Sequence, residues 1–265
     1  MAMAVEAQQL VKKFTGRGGE VEAVRGVDLH VAEGEVFGFL GPNGAGKSTT
    51  VRMLTTLTTI TSGKASVAGV DVASDPDAAR RCIGVALQEA GLDGRQTGRE
   101  LLVLQAKMFG STAAEASVRA QELLELVDLV EAADRRIKGY SGGMKRRLDL
   151  ASALVHRPQV LFLNEPTTGL DPASRLTVWD EMRRINAEGT TVFLTTQYLE
   201  EADQLCNRLA IIDDGLIVRE GTPQELKDEL RRRTSLDREP TLDEVFLDAT
   251  GRVREVVAGS VQEVR

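Results

Sequence analysis

Apolar positions along the chain follow two periods. Near the N-terminus, Val5–Val11 and Val27–Val31 are short β-like runs separated by the Gly-rich turn Gly16–Gly19, which predicts a β-meander or small antiparallel sheet. Val36–Leu40 is apolar without interruption, the pattern of a strand buried on both faces. It feeds directly into the Gly-rich stretch Gly41–Gly46 and then a helix to about Thr56. Further strand-like runs lie at Lys64–Val70 and Ile83–Leu87. Between about Gly98 and Val130 the period changes. Leu101, Leu102, Leu104, Met108, Val118, Leu123, Leu124 and Val127 recur at helical spacing among acids and arginines, predicting a helical insertion. Ser141–Gly143 caps another helix that runs to about His156, with Arg157-Pro158 as its stop.

Val160–Leu163, Thr191–Thr195 and Arg208–Ile212 are three more buried-strand runs, alternating with helical stretches. That alternation predicts an α/β fold with a mostly parallel sheet. Past Thr222 come a helix, the solvated charged stretch Arg231–Glu239 and an amphipathic helix, Leu242–Ala249.

Composition narrows the class. A chain of 265 residues can bury a core without disulfide or metal staples. With 42% apolar and 28% charged residues it is neither disordered nor fibrous. Lys plus Arg number 33 against 40 Asp plus Glu, a net charge of −7, so nothing global favours nucleic acid as a partner. Cys82 and Cys206 cannot make a disulfide framework, and no His cluster completes a zinc site; a reducing cytosol is expected. The N-terminus lacks the basic start and apolar run of a secretory signal, and no stretch approaches 18 consecutive apolar residues, so no membrane span is expected.

The chemistry begins at Gly41-Pro42-Asn43-Gly44-Ala45-Gly46-Lys47-Ser48, followed by Thr49, which satisfies G-x-x-x-x-G-K-[ST] between a buried strand and a helix. The glycines let backbone N–H groups turn inward around an anion, and the helix points its positive dipole end at the same place. Lys47 adds a point charge for β/γ-phosphates and Ser48 a hydroxyl for Mg²⁺. A second candidate is Glu165, after the strand run Val160–Leu163 and Asn164. Parallel strands place their C-terminal ends side by side, so Glu165 can reach the γ-phosphate and polarise a water.

The order of the remaining motifs resembles that of ATP-binding cassette (ABC) ATPases. It comprises the Walker A loop at Gly41–Ser48, Gln88 after a strand, Tyr140-Ser141-Gly142-Gly143-Met144, Leu161–Pro166, and Gly169-Leu170-Asp171-Pro172. The resemblance covers about residues 5–225. It implies a P-loop NTPase core with a mostly parallel sheet, an N-terminal antiparallel β subdomain and a helical signature subdomain at about 95–157. The nucleotide-binding domain would then span 1–230, with a short C-terminal extension at 231–265. The resemblance gives Phe14 as the aromatic that stacks on adenine and Gln88 as the glutamine that reaches Mg²⁺ and couples to a membrane partner. Ser141, Gly142 and Gly143 resemble the signature that contacts ATP held by a second protomer, and Asp171 would lie in the loop crossing that dimer.

Two positions depart from the family pattern. Asn164 stands where the family usually has an Asp that holds the Mg²⁺ shell, so the metal contact at Asn164 is weakened. Gln197 stands where most members have a His that contacts the γ-phosphate; Gln donates a hydrogen bond but carries no proton, leaving Glu165 as the base. Slow turnover is expected. The run Thr195-Thr196-Gln197-Tyr198-Leu199-Glu200-Glu201-Ala202-Asp203 and the stretch Pro240–Leu247 resemble the daunorubicin/doxorubicin-resistance branch. The resemblance implies an ATP- and Mg²⁺-dependent ATPase that dimerises head to tail around ATP. It would sit peripherally at the cytoplasmic face of the cell membrane and drive efflux of a drug-like or lipid-like amphiphile through a separate permease. The competing class is a soluble ABC ATPase acting on ribosomes or DNA. Such proteins usually carry two cassettes, a long coiled coil or a zinc insertion, whereas this sequence has one Walker A and no extended heptad run.

Overall fold

Residues 2–16, 19–86 and 91–251 are described by a computed structural model of the chain. Two sheets organise it. Strands β1 (Met3–Gly16) and β2 (Gly19–Ala32) form a long antiparallel hairpin. A central strand, β3 (Val36–Leu40), leaves this layer, and β4 (Ser62–Val67) and β5 (Val70–Asp71) return to it, giving the order β2-β1-β4-β5. The hairpin outruns the two apolar segments that predict it. Cross-strand charge pairs such as Lys13 with Glu20, 3.0 Å apart, continue the ladder where apolar residues stop.

The second sheet holds β3 with β6 (Ile83–Ala86), β7 (Val160–Asn164), β8 (Thr191–Thr196) and β9 (Arg208–Asp213), all parallel, and β10 (Leu216–Gly221) antiparallel on the edge. Its order is β10-β9-β3-β8-β7-β6. The parallel strands read as unbroken apolar runs because both faces are covered. Phe37, Phe39, Phe162, Phe193 and Ile212 point into the core shared with the first sheet, while Leu40, Leu161, Leu163, Val192, Leu194 and Ile211 point into the core shared with the helices. The register sets Phe37 and Phe162 on either side of Phe193, with ring centroids 5.6 and 5.2 Å away. The β9–β10 hairpin has no counterpart in the predicted strands, since β10 is only half-buried. Its signal is Asp214-Gly215, both at positive φ (45° and 75°), a dipeptide favoured in two-residue hairpin turns.

Helix α1 (Lys47–Leu54) follows β3 and stops before Thr56, whose φ of 61° breaks the helix. The short α2 (Pro76–Cys82), started by the Asp75 cap, is absent from the sequence expectation because it is too short to show a period. The predicted helical insertion is a lobe of α3 (Gly98–Met108) and α4 (Ala113–Leu126), each opened by a reciprocal cap, Thr97 with Glu100 and Thr112 with Glu115. Ser141 caps α5 (Gly142–Ala153). That helix ends short of His156 because the chain closes into a turn ending on Arg157 at φ 55°. Helices α6 (Pro172–Ala187) and α7 (Leu199–Leu205) cross between strands of the central sheet.

The C-terminal part is α8 (Pro223–Thr234) and α9 (Leu242–Ala249). The boundary expected between residues 230 and 231 lies inside α8, because buried Leu226 and Leu230 hold one continuous helix against the core. Arg231–Arg233 form its exposed last turn. Leu242 and Val245 of α9 are buried in the same core, so this helix packs on its own body.

Candidate active site

Strand register assembles the site. Leu40 pairs with Thr196 and Asn164 with Thr195, so the residues that follow β3, β7 and β8 emerge together at one sheet edge. That edge is where ligands bind in open α/β sheets. A cavity of about 320 Å³ opens there, lined by Pro42, Asn43, Gly44, Gly46, Lys47, Ser48, Thr49, Glu165 and Gln197. Gly41 and Ala45 support the loop from behind. A Cβ at Gly41 would stand 2.3 Å from the Ile212 carbonyl oxygen, and the Ala45 carbonyl accepts from Gly215 N–H. Gly46 caps α1 at φ 107°, and a Cβ there would meet the Ala23 carbonyl at 2.5 Å. Only glycine fits both positions.

Lys47 is 5% exposed, and its Nζ donates to the carbonyls of Gly41 (2.6 Å) and Pro42 (3.0 Å). Burial lowers its pKa, partly offset by the negative charge of Glu165 across the cavity. The curve of the loop is thus held by the same ammonium that lines the cavity. Glu165 follows β7 with φ at 50°, a left-handed conformation that costs about 1–3 kcal/mol for a non-glycine residue and persists only where its neighbours impose it. Its N–H donates to the Thr195 carbonyl (2.8 Å), which pins the backbone and leaves the carboxylate on the cavity wall.

Asn164 does not line the cavity. Its Oδ1 accepts a 2.6 Å hydrogen bond from Thr195 Oγ1, so its oxygen is directed into the sheet. Among the described residues no cluster of three His, Cys, Asp or Glu side chains could hold a metal. The donor set here, the Ser48 hydroxyl and the Glu165 carboxylate lining one cavity, fits a Mg²⁺ that takes most of its ligands from phosphate oxygens and water. Gln88 lies outside the described residues.

The signature residues stand apart from this cavity. Ser141 and Gly142 are exposed at the N-terminus of α5, where Ser141 Oγ accepts from Met144 N–H (3.2 Å). Gly143 abuts the first turn of α6, and a Cβ there would be 2.8 Å from Ser174 Oγ. Asp171 caps α6, accepting from Ser174 N–H (3.0 Å) and Ser174 Oγ (2.6 Å), contacts that hold its carboxyl below the usual range. Ser141 and Asp171 therefore share one exposed surface, linked through Ser174, while the phosphate loop forms another. Phe14 is also outside the cavity, 45% exposed on β1 with the Lys12 ammonium 5.1 Å from its ring centroid.

Two residues that shape the site carry little signal in the sequence. Thr195 is a fully buried hydroxyl in an apolar strand, and a polar residue in such a run signals a buried hydrogen bond. Arg146, 9% exposed on α5, reaches the β7–α6 loop; the basic run Lys145-Arg146-Arg147 gives no sign of which residue is buried.

Comparison with known proteins gives a consistent picture. The sequence profile of the family described as ABC transporter matches residues 24–168. The chain is 53% identical over 227 residues to the daunorubicin/doxorubicin resistance ATP-binding protein of Streptomyces peucetius, covering 86% of this chain and 68% of that protein. It is 44% identical to Nod factor export ATP-binding protein I of Paraburkholderia xenovorans, with 84% and 72% covered. Among solved structures, the ATP-binding subunit of an ABC transporter superposes with a TM-score of 0.80 at 28% identity, covering 93% of this chain and 99% of that one. A dimeric ATP-binding cassette in a post-hydrolysis state with ADP and Pi superposes at 0.75 and 26% identity, with 82% and 98% covered.

Proposed function

The chain belongs to the ABC transporter family and is an ATPase, and we propose that it powers an exporter. Two copies close head to tail on ATP, each phosphate loop meeting the other copy's Ser141–Gly143. A separate membrane-embedded subunit moves the cargo, a drug-like or lipid-like amphiphile. The observation that carries this reading is the separation of the two surfaces. Glu165 and Lys47 share a cavity from which Ser141 of the same chain is absent, so the site is complete only with a second signature. The dimeric cassette among the structural neighbours supports that arrangement, and relatives named for drug resistance and Nod factor export support the cargo class.

In this reading Lys47 and the loop N–H groups bind the β/γ-phosphates, and Gln197 donates a hydrogen bond to the γ-phosphate. Glu165 orients the attacking water and takes its proton as the P–O bond to ADP breaks. Mg²⁺, held by Ser48 with Gln88, would supply charge neutralisation at the phosphates. Asn164 contributes no charge, and turnover is slow in consequence. Phe14 faces the adenine from β1, and Asp171 meets its counterpart across the dimer. Closure follows ATP occupancy and opening follows hydrolysis, the linkage a mechanical cycle needs.

No helix among the described residues is long and apolar enough to cross a membrane. In this reading the chain attaches at the cytoplasmic face through the permease subunit. Affinity purification from mildly solubilised membranes tests this. A stoichiometric polytopic membrane protein is the expected companion; ribosomal or DNA-repair partners in its place would overturn the exporter reading.

A further inference from the structure

The left-handed backbone of Glu165 needs more than the Thr195 contact to hold it. Thr168 adds two long contacts, its N–H to the Glu165 carbonyl (3.3 Å) and its Oγ1 to Glu165 Oε2 (3.4 Å), and Arg146 braces the flanking main chain. Its Nε donates to the Pro166 carbonyl (2.7 Å) and its Nη2 to the Asn164 carbonyl (3.3 Å), so one guanidinium grips the main chain on both sides of Glu165. Its Nη1 is anchored by Asp149 Oδ2 (3.2 Å) one turn further along α5. Both side chains are nearly buried, at 9% and 8% exposure, where charge-assisted hydrogen bonds are strong. No assigned motif role accounts for a buried cation at this place.

We propose that Arg146 is a positioning residue for hydrolysis: it clamps the Asn164–Pro166 backbone so that Glu165 keeps its carboxylate at the cavity wall. The planar fork matters because three acceptors in different directions are held at once, two carbonyls and a carboxylate. A lysine ammonium is a point charge on a flexible stem and cannot reproduce that bracing. Arg146 touches the backbone of the base and acts only through it. The inference rests on the reading of Glu165 as the base.

The test is a cycle with Arg146→Lys, Glu165→Gln and the double variant in the full-length chain, measuring ATP turnover, KM, affinity for a fluorescent ATP analogue and thermal midpoint. A displaced base lowers the rate without touching binding. Arg146→Lys is therefore expected to lose roughly 10- to 100-fold in kcat, with KM and analogue affinity within about twofold. On the Glu165→Gln background the same change should cost less than about twofold, because the group it positions is already gone. Where Arg146→Lys fails to fold, Asp149→Asn, which loosens the anchor and leaves the loop contacts, carries the cycle with a several-fold loss in the same pattern. An unchanged kcat in Arg146→Lys, an equal loss on both backgrounds, or a parallel loss of analogue binding would overturn the proposal. Full activity in Glu165→Gln would overturn the base assignment itself and the proposal with it.

Discussion

Asn164 turns its one side-chain oxygen to Thr195 Oγ1 at 2.6 Å, and the next residue, Glu165, lines the cavity beside the glycine loop. In the proposed mechanism, the position before the base therefore presents no anionic oxygen to a cation. A charged acceptor in place of a neutral one is worth about 1.5–3 kcal/mol in a hydrogen-bonded metal shell, or about 10- to 100-fold in affinity. Asn164→Asp is expected to lower the Mg²⁺ concentration giving half-maximal turnover by that factor. Titrating turnover against Mg²⁺ for both chains checks it, and superimposable curves would contradict it.

Gln197 sits on the cavity wall and cannot exchange a proton. Replacing it by Ala should lower kcat about 10- to 100-fold, the effect of one lost hydrogen bond to a charged group, and leave the pH–rate profile unshifted. Glu165→Gln should cost at least about 100-fold, the usual worth of a general base. Paired pH–rate profiles decide the roles: an ionisation that vanishes with Gln197 would remove Glu165 from its place as the base.

Glu181 on α6 is 2% exposed, and neither carboxylate oxygen has a hydrogen-bond partner among the described residues. Burial pushes its pKa up to about 8, against the pull of the Arg147 and Arg184 charges, so the folded protein binds a proton that the unfolded chain releases near 4.5. In that interval the native state holds more protons, so stability falls as pH rises from about 4.5 to about 8. Glu181→Gln removes this loss. The variant should gain about 1–3 kcal/mol over the parent at pH 8 and almost nothing at pH 5. Denaturant midpoints at the two pH values measure it; an equal shift at both would contradict it.

Leu242 and Val245 anchor α9 in the main core, 2% and 4% exposed. Leu242→Ala should destabilise by roughly 2–4 kcal/mol, a drop of about 5 °C or more in thermal midpoint. A chain ending at Arg238 should show the same loss. A sedimentation profile and melting curve identical to those of the full chain would mean that the helix does not support the fold.

Much of this architecture is written in local pattern. Val36–Leu40 and Val160–Leu163 read as buried strands because nothing polar interrupts them, and the phosphate loop between strand and helix carries its chemistry in consecutive residues. Strand order is another matter. Nothing between residues 40 and 196 announces that Leu40 lies beside Thr196, yet that register brings Lys47, Glu165 and Gln197 around one cavity. The Thr195 bond to Asn164 and the Arg146 grip on the β7–α6 loop likewise join residues 31 and 20 positions apart, a geometry set by packing. β10 escaped for the opposite reason: its half-buried face has too little apolar contrast to show.

If each ATP site is shared between two chains, two variants that are inactive alone should rescue each other when mixed. Lys47→Ala removes the phosphate contact and Ser141→Arg blocks the signature, so each homodimer should be inactive. In a mixed dimer, both defects fall on one site and the other is intact. Combining the two is expected to restore turnover to about a quarter of the parent rate, since half the dimers carry one working site of two. Turnover that stays at the level of the separate variants, with mixed dimers shown to form, would mean that loop and signature of the same chain serve one ATP, and the shared site would be contradicted.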